Sequence, residues 1–86
     1  MSTMQQTEER LLSVLASCRR WIPPNQIASM AELVRAGEPG VALENLCTQL
    51  YEYFVNTPDD VLRELTILAS ELGIKREYVD LLRESG

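Results

Sequence analysis

The sequence predicts an all-α protein, a compact bundle of four to five short helices forming a single helical domain over residues 1–86. Three observations carry this. Apolar residues recur at helical spacing along the chain, and no segment alternates with period two over a useful length. Proline and glycine fall at Pro23-Pro24, between Gly37 and Gly40, at Pro58 and at Gly73, and they cut the apolar pattern into helix-sized lengths. With 45% hydrophobic and 24% charged residues among 86, the composition is that of a globular chain with one modest core.

The first helix starts within Thr3–Gln6 and runs to Trp21. Met4, Leu11, Leu15, Cys18 and Ile22 lie along one side of it, with Leu12 and Val14 widening the stripe. Pro23 and Pro24 stop it, because proline donates no backbone hydrogen bond and pushes its predecessor out of the helical region. Pro24 suits the first turn of a second helix, which turns Ile27, Met30, Ala31 and Val34 inward and ends at Gly37. Glu38-Pro39-Gly40 is a tight corner into the third helix. There the spacing predicts a buried stripe of Leu43, Leu46, Cys47, Leu50 and Phe54, with Glu44, Thr48 and Glu52 sharing the opposite side.

Thr57-Pro58-Asp59-Asp60 reads as a helix start: a capping threonine, a proline at the first helical position, and two acids at the positive end of the dipole. The fourth helix buries Val61, Leu62, Leu65, Leu68, Ala69 and Leu72 and stops at Gly73. A short last helix, about Lys75 to Glu84, offers Tyr78, Leu81 and Leu82. Connections this brief fit closely packed antiparallel neighbours. The second and third helices alone are too little to build a solenoid.

Charge is distributed unevenly. Residues 1–36 carry four bases against three acids and residues 61–86 four against five, so the net charge of −5 is confined to the segment between. From Gly37 to Asp60 the acids are Glu38, Glu44, Glu52, Asp59 and Asp60, with no Lys or Arg. A concentrated acidic block on a small helical domain points to a basic partner.

Several classes fit poorly. Catalysis lacks a histidine for acid–base work near neutral pH, a glycine-rich phosphate loop, and a serine or cysteine with a base partner visible in the sequence, so no enzyme is expected. Nucleic acid demands Lys and Arg, whereas the isoelectric point is about 4.6. The one basic–aromatic cluster, Arg19-Arg20-Trp21, reads as a solvated helix end. An acyl carrier needs a serine after an aspartate at a helix start, and Ser13, Ser17, Ser29 and Ser70 all lie inside predicted helices. Cys18 and Cys47 lie at core-facing positions; without histidines they cannot make a zinc site, and both read as reduced core residues. No metal or cofactor is expected. No run approaches the roughly 18–20 apolar residues of a membrane span. The first residues show no secretory signal, which makes a cytoplasmic protein the expectation.

Partner binding remains. The candidate contact residues are Glu38, Glu44, Thr48, Tyr51, Glu52, Tyr53, Asp59 and Asp60. Aromatic rings supply buried area, and acids supply orientation and fast association. The alternative is that Tyr51 and Tyr53 complete the core while the acids keep the protein soluble.

The string from Arg35 to Tyr53 resembles the MafI-type family of immunity proteins, small helical proteins encoded beside secreted bacterial polymorphic toxins. The resemblance lies in the Gly37-Glu38 corner, in Ala42-Leu43-Glu44-Asn45-Leu46-Cys47, and in Leu50-Tyr51-Glu52. Downstream, Pro58 to Asp60, Leu68-Ala69, Glu71-Leu72-Gly73 and Tyr78 follow a similar layout, so the likeness covers about the last three-fifths of the chain. It implies a cytoplasmic protein that binds one cognate toxin domain and blocks it, and it carries Glu44, Cys47, Tyr51 and Glu52 over as family positions. Phe54 departs from the pattern, standing where a second polar or acidic residue would follow Tyr53. Two further readings stay open: a general helical interaction adaptor, and a self-associating structural protein, with the chain a monomer or a homodimer.

Overall fold

In the computed structural model, which describes residues 3–85, the chain forms five α-helices and no strand among those residues. They are α1 (Thr3–Ser17), α2 (Pro24–Arg35), α3 (Pro39–Glu52), α4 (Asp59–Leu72) and α5 (Glu77–Ser85). A single 3₁₀ turn, Cys18–Arg20, continues α1, so the first helix tightens before the two prolines instead of staying α-helical to Trp21. The all-α expectation holds.

Helix α3 is the centre of the bundle and touches each of the other four helices. Its stripe of Ala42, Leu43, Leu46, Cys47 and Leu50 is at most 1% exposed. Around it pack Leu11, Leu15, Cys18 and Ile22 from the first helical segment, Ile27, Met30 and Val34 from α2, Leu62, Leu65, Leu68 and Ala69 from α4, and Val79 and Leu82 from α5. Helices α1 and α4 run antiparallel, as do α4 and α5, where Arg83 Nη2 donates to Thr66 Oγ1 at 2.8 Å. Helices α3 and α5 run parallel. The entry to α5 lies beside the start of α3, with Ile74 Cγ2 3.5 Å from where a Cβ on Gly40 would stand, and Tyr78 and Leu81 lie further along against Cys47, Thr48 and Tyr51.

Several assignments change: Ala31 on α2 and Val61 and Leu72 on α4, expected to be buried, are only partly buried at the edge of the core. Met4 is 46% exposed, and Thr7, one turn later, takes the inward place at 3%. That hydroxyl is satisfied across the bundle, donating to Glu71 Oε1 at 2.9 Å. Thr57 does not cap α4: it is buried, its Oγ1 lies 3.5 Å from the Val55 carbonyl, and Pro58 occupies the N-cap position. On α5 the core residues are Val79 and Leu82, while Leu81 is 46% exposed. Phe54, expected in the α3 stripe, is not in the core at all.

Helices α2, α3 and α4 end in one way. After α2 the Glu38 N–H donates to the Leu33 carbonyl and the Gly37 N–H to that of Val34; after α4 the Ile74 N–H donates to Ala69 and Gly73 to Ser70. Gly37 and Gly73 have φ of 86° and 72°, the left-handed conformation this paired cap requires and glycine adopts without steric cost. After α3 the Val55 N–H donates to Leu50 at 3.0 Å and the Phe54 N–H to Tyr51 at 3.1 Å. Phe54 therefore occupies the glycine position, with φ of 56°, and Val55 buries itself in its stead.

Arg10 ties α1 to α4. Its Nη2 lies 2.8 Å from Glu64 Oε1 and its Nη1 3.3 Å from Glu71 Oε2. The Glu64 hydrogen bond, followed by attraction to both carboxylates, raises the Arg10 guanidinium above its ordinary pKa against the opposing effect of desolvation. Both cysteines are buried and unbonded. Burial pushes the Cys18 thiol up to about 11 against the weaker pull of Ser17 and Arg20, and burial, with help from Cys18 and Glu44, pushes the Cys47 thiol up to about 12.

Two predictions follow from this packing. Leu46→Ala or Leu50→Ala should lower the unfolding free energy by about 2–5 kcal/mol, whereas Glu44→Ala should change it by no more than about 0.5 kcal/mol, measured by urea denaturation. The thiols bind their protons more tightly folded than unfolded, so their contribution to stability is complete below the ordinary thiol pKa of about 9 and is lost as pH rises toward 11–12. Denaturation midpoints should decline across that window, and the Cys18→Ala/Cys47→Ala variant should decline less.

Candidate functional site

The candidate residues divide into three places. Thr48 and Tyr51 line one depression between α3 and α5, with Glu44 and Glu52 on the same side of α3, one turn before and one turn after Thr48. Thr48 Oγ1 is turned back on its own helix, donating to the Glu44 carbonyl at 2.9 Å. Glu38 is remote from this group. It precedes the first residue of α3 while Glu52 is the last, a separation of roughly 20 Å along the helix axis. Asp59 and Asp60 sit in the first turn of α4, where they complement the helix dipole, and Asp60 faces α1 in a groove shared with Arg10, Ser13 and Glu64. The acidic block that is continuous in sequence is thus split in space.

At the end of α3 three aromatic side chains stand in solvent. Tyr51 and Tyr53 are about half exposed, which answers the alternative that they complete the core. Phe54 is 93% exposed. An apolar ring this open, on a non-glycine residue in the left-handed region, is doubly unfavourable: the conformation costs roughly 1–2 kcal/mol and the ring gains nothing from burial. The cap explains the geometry. The choice of phenylalanine has no explanation within the isolated fold, and strained positions of this kind cluster at functional sites.

Sequence reasoning missed Phe54 and Leu81 as surface residues and Tyr78 as a partly buried wall of the α3–α5 depression. Adjacent apolar pairs do not reveal which member is displayed. In Phe54-Val55 and Leu81-Leu82 the second residue is buried and the first displayed, whereas Ala42-Leu43 and Leu46-Cys47 bury both members. Tyr51, Tyr78 and Leu81 line a depression of about 110 Å³ with Cys47 and Thr48.

Larger depressions of about 420 and 390 Å³ lie between α1 and α4. They share Arg10 and Ser13, and their charged side chains include Arg10, Glu64 and Glu71, which are committed to joining the two helices. Arg20 stacks over the Trp21 ring at 4.4 Å, a local cation–π contact closing the first helical segment. Among the described residues no three His, Cys, Asp or Glu side chains gather to hold a metal ion, and no helix is long and apolar enough to cross a membrane.

Fold and surface together define a small all-α protein that displays an aromatic and acidic helix end. No family model, curated protein or solved structure matches the chain.

Phe54→Gly should raise the unfolding free energy by about 1 kcal/mol, because glycine adopts φ of 56° without strain and an exposed ring is all that is lost. Thermal or urea denaturation reads this directly; a destabilised variant would mean that the ring packs on the fold.

Proposed function

We propose that this protein is a non-catalytic, immunity-type inhibitor: it binds one cognate secreted bacterial toxin domain and neutralises it by covering that domain's basic surface. The observation that supports the reading is Phe54, held strained and in solvent beside Tyr51, Glu52 and Tyr53. Truncating a buried aromatic anchor costs a typical interface 2 kcal/mol or more, and such residues are surrounded by contacts that exclude water. Carboxylates at the rim steer a basic partner and speed its association, an effect screened by salt. The resemblance between Arg35 and Tyr53 supplies the class of partner, and the chemistry of the surface agrees in sign.

The exposed ring equally favours an interaction adaptor with some other partner. The two readings separate by experiment. The protein is used as bait against the product of the gene immediately upstream and against lysate of its own organism. The immunity reading expects a one-to-one complex with the upstream product and loss of that product's toxicity. Capture of a housekeeping complex in its place would favour the adaptor.

Within the toxin complex, Phe54→Ala should weaken binding by about 30-fold or more, while Glu44→Lys/Glu52→Lys should slow association by at least about tenfold at low salt. Unchanged affinity and rate in both variants would remove this surface from the interface.

A further inference from the structure

We infer that the depression between α3 and α5 seats an apolar side chain from a basic segment of the partner, an aliphatic or aromatic residue flanked by Lys or Arg. This deepens the reading of the protein as a partner-binding module and rests on it. Tyr51, Tyr78 and Leu81 wall the depression, and Cys47 and Thr48 lie at its α3 side. Its volume of about 110 Å³ is somewhat below the roughly 150 Å³ cavity that holds a benzene ring, so one side chain enters and a second does not. The Cys47 thiol takes no part in chemistry there, being 1% exposed and protonated.

The flanking charges choose the occupant. On α3, Glu44 and Glu52 stand one turn to either side of Thr48; on α5, Glu77 and Glu84 stand one turn to either side of Leu81. Four carboxylates thus bracket an apolar seat. Lys75 shares with Glu77, Tyr78 and Leu81 an adjoining depression of about 230 Å³, and Arg83 on α5 is turned to Thr66 of α4. Helix α3 itself contains no base. A second copy of this chain would bring the same acids against these and is disfavoured by like-charge repulsion, whereas a cationic segment is drawn in. Because α3 and α5 are parallel, the two depressions form a short track along which an extended or helical segment can lie.

The test uses the full chain as bait for a random dodecapeptide library displayed on phage. Enriched peptides should carry an apolar residue next to Lys or Arg. Their affinity should fall about tenfold or more for Leu81→Ser and for Glu52→Lys/Glu77→Lys, and stay unchanged for Ile67→Ser, which alters an exposed apolar residue on α4. Circular dichroism establishes that each variant is folded, and amide chemical shifts on peptide addition should move at Thr48, Tyr51, Tyr78 and Leu81. Absence of enrichment, enrichment of acidic or uncharged peptides, or indifference to Leu81→Ser would overturn the inference. The library contains no toxin, so that result leaves a toxin complex standing. Failure to find a toxin partner likewise leaves basic peptides bound at this seat.

Discussion

Everything in this bundle depends on the burial of α3. A helix that packs against four others has little room for polar atoms, and its core stripe consequently consists of small and medium apolar residues within 1% of full burial. The polar residues of α3, Glu44, Asn45, Thr48, Gln49 and Glu52, fall outside this stripe. The surface chemistry of the protein is in this sense what remains after the core has been satisfied. The depression between α3 and α5 is walled by Tyr51, Tyr78 and Leu81, side chains that stand partly or half out of the core.

Ending such a helix imposes a second constraint. The last carbonyls of α3 need donors, and the chain must turn back within six residues to start α4. The paired cap solves both, and it brings Val55 down onto Leu50. The cap requires one residue in the left-handed region, and whatever occupies that position is directed away from the core. At Gly37 and Gly73 nothing is displayed, and at Phe54 a whole ring is. A position dictated by backbone geometry thus becomes the most exposed large apolar side chain described in the molecule.

Much of the fold was legible in the sequence because proline and glycine act locally. Pro24, Pro39, Gly37 and Gly73 mark helix boundaries through their own backbone restrictions, and the structure has boundaries at those places. Phe54 was misplaced for the same reason in reverse. Its spacing continues the α3 stripe, and nothing local distinguishes a phenylalanine that ends a helix from one that extends it. The inward place of Thr7 was hidden because its partner, Glu71, is 64 residues away. As for the site, composition revealed the acidic block but not its division, since that follows from the length of α3. The contribution of Tyr78 and Leu81 depends on the rotation of α5 about its axis, which no local pattern encodes.

The ties between α1 and α4 bear on how the chain is made. Arg10 finds Glu64 across 54 residues and Thr7 finds Glu71 across 64. Synthesis proceeds from the N-terminus, so α1 emerges well before its polar partners on α4, while α3 and α4 go on to meet α5. The pairings of α2 with α3, α3 with α4 and α4 with α5 are each made between successive elements, over connections of three to six residues. During translation α1 therefore waits with its apolar stripe partly covered and its polar partners not yet made. Its sealing awaits α4.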